Sequence, residues 1–191
     1  MSERVIRLDL EYDGADFVGW QIQLRGRSVQ GELARALHTF LGQEVIPVAA
    51  GRTDAGTHAM GQVAHFRTDS RHSPQRMCLA LNGLLPPDIA VTDCQVAARD
   101  FHARFSAVGK CYRYRIVGVR APLDRGRVWT LYRPLDLERM KRAAAALPGT
   151  HHFGAFCKQD PIPDRYDCHI QRCAWERIGR ALVFEIEGNR F

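Results

Sequence analysis

The sequence predicts an α+β protein in two halves, each opening on the same strand and helix plan with an antiparallel sheet. Three observations predict it. Runs that alternate apolar and polar residues recur along the chain, at Val5–Tyr12 and Lys110–Val117 among others, and a period of two marks a strand with one buried face. Between such runs stand stretches with apolar residues three and four apart, the spacing of one helix face. Ala107-Val108-Gly109-Lys110 joins the halves with no low-complexity tract.

In the first strand Ile6, Leu8, Leu10 and Tyr12 share one side and Val5, Arg7, Asp9 and Glu11 the other, and the run ends at the turn signal Asp13-Gly14. Phe17–Gln23 follows as a loop, with a small basic tip at Arg25-Gly26-Arg27. Ser28 then caps a helix in which Leu33, Leu37, Phe40 and Leu41 align, running to about Leu41. Val45–Ala50 reads as the second strand and Gln62–Thr68 as the third, with a glycine-bearing loop between them. Ser73-Pro74 opens a helix through Met77, Leu81 and Leu84 that stops at Pro86-Pro87, and Ile89–Ala97 is the fourth strand. Strand, helix, strand, strand, helix, strand is the βαββαβ order of the ferredoxin-like, RRM-like split βαβ fold.

The second half begins the same way. Lys110–Val117 alternates as a strand, and Asp136–Leu147 is an Ala-rich amphipathic helix ended by Pro148-Gly149. Cys168–Ile178 and Arg180–Glu187 form a hairpin about Gly179. By analogy with the first half, a helix and a strand should follow Phe191. The expected domains are therefore 1–106, carrying the loop after the second strand, and 107–191, basic and incomplete at its C-terminus. Such incompleteness predicts exposed apolar surface or an unpaired edge along Leu182–Ile186, and with it self-association, poor solubility or a fragment of a longer chain.

Composition narrows the function classes. Hydrophobic residues at 46% and charged residues at 25% are those of a water-soluble globular protein, and no apolar run approaches the ~18 residues of a membrane span. The Met1–Arg7 start has no apolar stretch of a secretory signal, and six cysteines stand singly, so the expected compartment is the cytoplasm. The net charge of +6 is uneven: residues 1–105 hold 11 cationic and 12 acidic side chains, residues 106–191 hold 16 and 9. Sixteen cations, all but three of them Arg, suit a polyanion or simply an Arg-rich surface. No Gly-x4-Gly-Lys-[Ser/Thr] stretch supports nucleotide hydrolysis. His58, His65, Cys157, Cys168, His169 and Cys173 lack metal-ligand spacing, and adjacent Cys168-His169 suits one tetrahedral ion poorly, so buried single thiols are expected and no metal.

The stretch with the most chemistry is Gly51-Arg-Thr-Asp-Ala-Gly-Thr-His-Ala-Met-Gly-Gln-Val-Ala-His-Phe66. Gly51, Gly56 and Gly61 admit positive φ and leave room for a large ligand. Taken alone, Asp54 is a residue that organises a turn through its own hydrogen bonds. The whole string, however, resembles the catalytic motif of the tRNA pseudouridine synthases of the TruA family. Further landmarks stand in family order: Tyr12-Asp-Gly-Ala-Asp-Phe-Val-Gly-Trp-Gln21, Ser28-Val-Gln-Gly-Glu-Leu33, Asn82-Gly-Leu-Leu-Pro-Pro-Asp-Ile89, Asp100-Phe-His-Ala-Arg-Phe-Ser-Ala107 and Lys110-Cys-Tyr-Arg-Tyr114.

The resemblance implies an isomerase that converts uridine to pseudouridine in the anticodon stem-loop of tRNA, without cofactor, as a homodimer. It makes Asp54 the catalytic carboxylate, acting as a nucleophile on sugar or base or as the base that takes the 2′-proton. It sets Arg52 to hold the displaced nucleotide or fill its place in the stack, because the target base must leave the helix. Tyr112 matches the tyrosine whose ring stacks on the uracil, while Tyr114 on the same face is read as packing. Arg104, His58 and Lys110 fall among the RNA contacts, Arg104 as a phosphate contact or a structural pair. In the family a segment with a Met-Val-Arg element follows the motif at Gly188-Asn-Arg-Phe191, and its arginine keeps the carboxylate charged. The rival expectation is therefore a non-catalytic, truncated RNA-binding relative.

Overall fold

The computed structural model describes residues 3–156 and 166–190. The chain divides into two compact units, Met1–Ala107 and Val108–Phe191.

In the first unit, β1 (Arg4–Tyr12) is the central strand, and its even-numbered side chains Ile6, Leu8, Leu10 and Tyr12 are buried. Ser28 starts α1 (Val29–Leu41) by accepting the Gly31 N–H, and Gly42 at φ 66° ends it. β2 is only Val48–Ala49, because Pro47 has no N–H to give a ladder and its carbonyl accepts from the Gln30 side chain at 2.9 Å. β3 (Ala59–Thr68) starts three residues earlier than its alternation suggests. α2 (Pro74–Leu84) is capped by Ser73, which accepts the Arg76 N–H, and β4 (Ile89–Ala97) closes the unit as expected. The sheet order is β2-β3-β1-β4 with every neighbour antiparallel, the split βαβ arrangement. Leu33 and Leu37 of α1 and Met77 and Leu81 of α2 share a core with Ile6, Leu8, Leu10, Phe17 and Trp20. Each such side chain contributes about 2 kcal/mol by leaving water, so this core holds the loops that emerge from it.

The second unit, like the first, opens on a strand, but a second short strand precedes its helix. β5 (Lys110–Val117) is followed by β6 (Trp129–Thr130), by α3 (Leu137–Ala144) with Asp136 capping the Arg139 N–H, by β7 (Gly149–His152), and by a hairpin. The hairpin strands are β8 (Asp167–Ile178) and β9 (Ala181–Gly188), turning through Gly179 at φ 58°. The order is β6-β5-β9-β8-β7, and β6 runs parallel to β5, so this sheet is mixed. The expected open edge is not along Leu182–Ile186: β9 pairs with β5 on one side and β8 on the other. Tyr114 shares a face with Tyr112 but is 62% exposed, so packing does not account for it. Among the described residues no helix is long and apolar enough to cross a membrane.

Candidate active site

The loop between β2 and β3 is held chiefly through Thr53. Its carbonyl accepts the Trp20 N–H at 3.0 Å, and its hydroxyl lies 2.9 Å from the Tyr12 hydroxyl at the end of β1. Gln62 of β3 donates its amide to the Tyr12 oxygen at 3.3 Å and to the Gly51 carbonyl at 2.9 Å. Because the Tyr12 oxygen accepts from Gln62, its own proton is free for Thr53 Oγ1. Burial raises the Tyr12 pKa above 10.0, against the Thr53 and Gln62 bonds that lower it, so the phenol remains a neutral donor.

A second brace comes from the segment after β1. Gly19, at φ 109°, lies so close to the loop that a Cβ there would stand 2.6 Å from the Thr53 carbonyl oxygen. At Gly14 a Cβ would overlap the Thr57 carbonyl oxygen, 2.0 Å away. The Gly56 N–H donates to the Phe17 carbonyl at 3.2 Å, and the Gly14 N–H reaches His58 Nδ1 at 3.2 Å. His58 Nδ1 also stands 2.9 Å from Asp13 Oδ1. Without a proton that nitrogen accepts from Gly14; carrying one, it donates to Asp13.

The Asp54 side chain rides on this frame and holds none of it up. Its side chain is exposed and makes no hydrogen bond or ion pair among the described residues; only its carbonyl is used, accepting the Thr57 N–H at 3.2 Å. The turn is thus organised by Thr53 and the backbone, not by the carboxylate. Arg52 is likewise exposed and without a partner among the described residues. Of the three loop glycines only Gly56 has positive φ, at 76°, and a Cβ on Gly56 or Gly61 would meet nothing within 4 Å; the tight contacts with the neighbouring segment are made from the other side, by Gly14 and Gly19.

The expected site residues stand on three stretches of the chain. Arg52, Asp54 and His58 share the loop. Arg104 lies after β4, exposed, with its guanidinium 5.8 Å from the centre of the Phe105 ring. Lys110 and Tyr112 sit two apart on β5 of the second unit, on one sheet face, and both are half-buried. The basic tip is reduced by one: Arg27 donates to both Asp88 oxygens at 2.5 and 2.9 Å and to Glu32 at 2.9 Å, and lies over Phe17. Arg25 is exposed.

Among the thiols, Cys111 is exposed, whereas Cys94 is buried and its pKa is pushed up to about 12, chiefly by that burial. Cys168 is buried and its neighbour His169 is exposed. Cys157 lies outside the described residues.

The residues that sequence reasoning missed are the supports: Tyr12, Thr53, Gln62, Gly14 and Gly19.

Known proteins resemble this chain over most of its length. A family model described as tRNA pseudouridine synthase matches residues 10–106 and 143–191. The tRNA pseudouridine synthase A of Moorella thermoacetica is 43% identical over 190 residues, covering 97% of this chain and 77% of that protein. That of Myxococcus xanthus is 43% identical over 189 residues, covering 97% and 71%. That of Parvibaculum lavamentivorans is 46% identical over 153 residues, covering 78% and 62%.

Proposed function

The chain belongs to the tRNA pseudouridine synthase family, and from that membership we propose that it isomerises uridine to pseudouridine in tRNA, with Asp54 as the catalytic carboxylate. The observation that carries the choice of Asp54 is the contrast between an idle side chain and a fixed mounting. An exposed carboxylate that stabilises nothing stands on a loop tied at Thr53, Gly51, Gly56 and His58. A loop held this firmly keeps its geometry when substrate arrives, which is how orientation lowers a barrier.

The reaction is neutral in electrons and atoms. The C1′–N1 bond breaks, the uracil turns, and C1′–C5 forms; C5 gives up its proton and N1 ends protonated. Asp54 enters either as the nucleophile that holds the freed sugar or base, or as the base that takes the 2′-proton. Arg52, two residues away and unpaired in its own unit, holds the displaced nucleotide or occupies its place in the stack. Tyr112 is assigned the stacking contact with the uracil, and Arg104 and Lys110 contacts with the RNA. For His58 the bonds to Gly14 and Asp13 support a part in seating the loop.

The same reading takes the anticodon stem-loop as target, a homodimer as the working form and the cytoplasm, where tRNA is handled, as the compartment. Release of tritium from tRNA carrying 5-tritiated uridine tests it. The wild-type chain releases label, and Asp54→Asn, folded by circular dichroism, lowers the rate by at least about 1,000-fold, the scale of losing a group that acts only in the transition state. An Asp54→Asn protein with wild-type release would sink the assignment.

A further inference from the structure

After β4 the chain makes two tight turns, with Phe101 N–H bonded to the Ala98 carbonyl and both Phe105 and Ser106 N–H to the His102 carbonyl, at 2.8–3.0 Å. These turns build a column of rings. His65 of β3 is buried; its Nδ1 accepts the Ala103 N–H at 3.2 Å, and its ring centre is 4.7 Å from that of His102. His102 in turn lies 4.3 Å from Phe105, with the ring planes only 30° apart. The last ring of the column is left in solvent: Phe105 is 77% exposed.

Core packing does not explain that ring, since most of its surface is wet. Polarity does not explain the ring beneath it, because His102 Nδ1 is shut from solvent with no hydrogen-bond partner among the described residues. What the column does is hold an open aromatic face in a fixed orientation. Beside it stands the Arg104 guanidinium, exposed and without an ion pair among the described residues.

We propose that Phe105 is a stacking platform for an unpaired RNA base, with Arg104 beside it to meet the neighbouring phosphate. Every base offers a flat π-face, and stacking on an aromatic side chain does not depend on which base it is. Only a base outside a duplex has that face to give. A ring already held by His102 loses little freedom on binding, which favours the contact. The cation favours a polyanion over an apolar protein partner. The site lies apart from the Asp54 loop in sequence and deepens the reading above, since it takes RNA as the substrate.

The test is fluorescence anisotropy of the full chain with labelled single-stranded oligouridine and with a closed RNA dumbbell that has no unpaired base outside its caps. Phe105→Ala is expected to weaken oligouridine binding by about 5- to 100-fold, the range for one stacked base, and Phe105→Trp to restore it. Dumbbell affinity stays within about twofold, and the salt dependence of Phe105→Ala matches the wild type, whereas Arg104→Gln lowers the salt slope by about 0.7. Wild-type affinity in Phe105→Ala, or equal losses on both RNAs, overturns the proposal. So does unchanged RNA binding joined to a change in oligomeric mass, which would make the ring a contact between copies.

Thermal melting of each variant guards against a fold effect, and Phe105→Trp still decides should Phe105→Ala melt early. Tritium release separates this proposal from the isomerase reading: binding that needs Phe105 without wild-type turnover keeps the platform and removes the isomerase, and the converse result does the reverse.

Discussion

At the scale of single residues the candidate site sets an exposed carboxylate, Asp54, on a loop that other side chains support. Tyr12 is the clearest support, because its buried hydroxyl joins Gln62 to Thr53 and so ties two strands to the residue before Asp54. Removing that oxygen leaves buried polar groups short of a partner, and Tyr12→Phe should cost about 1–2 kcal/mol in urea unfolding. It should also slow turnover more than it weakens tRNA binding, since the carboxylate loses its fixed place while the RNA-binding surface is untouched. Turnover unchanged at the lowered stability would confine Tyr12 to the fold. Asp54 is singled out in the sequence by its surrounding string, and its catalytic role is the proposal made above. Tyr12 was legible only as an inward residue of an alternating strand, because periodicity reports which face a side chain takes and not what its polar end will meet. Gly19 shows the same limit: its use lies in a contact with Thr53, 34 positions on, and no local pattern carries that.

At the scale of elements, those with strong local rules were read to within a few residues. Ser28 and Gly42 bracket α1, Ser73-Pro74 opens α2, and β4 runs over Ile89–Ala97 as its pattern says. The misses are short elements that exist only through a neighbour. β6 is two residues paired to the end of β5, and β7 is Gly149–His152, a polar run without alternation that forms by adding to β8. The segment after β4 is another such case, since it is fastened to β3 by the bond from Ala103 N–H to His65. Burial, and then the nearby His102, holds the His65 pKa below its ordinary 6.5, against the bond to the Val48 carbonyl that raises it. The fold therefore keeps the neutral ring. Above about pH 6.5 the ring is neutral in folded and unfolded chains alike and this contribution is complete. As pH falls below that value the unfolded chain takes up the proton first, and stability declines until the folded ring protonates as well. Melting temperature should thus drop between pH 7.5 and 5.5 more steeply for the wild type than for His65→Gln, and parallel curves would refute the assignment.

At the scale of the whole molecule the charge is the informative quantity. The sequence places its cationic excess in residues 106–191 but does not say how much of it is spent internally. In the second unit Arg113 and Arg172 pair with Glu185, Arg115 and Arg180 with Asp124, and Lys141 with Glu138. Arg120, Arg133, Arg139, Arg142 and Arg177 are exposed and make no ion pair among the described residues. An Arg139→Gln/Arg142→Gln protein should bind tRNA less tightly and lower the slope of log affinity against log salt by up to about 1.8, at roughly 0.9 per lost phosphate contact. An unchanged slope would mean that these charges only solvate the surface. The mounting of Asp54 carries a last consequence, for motion. Trp20 and Tyr12, which grip the loop, are themselves packed in the first unit's core, at 2% and 3% exposure. Letting the loop swing away would mean breaking into that core, so its opening free energy is drawn from the sheet and not from the low end typical of lids. On the reading proposed above the carboxylate is a fixed post in its own unit, and the nucleotide travels to it.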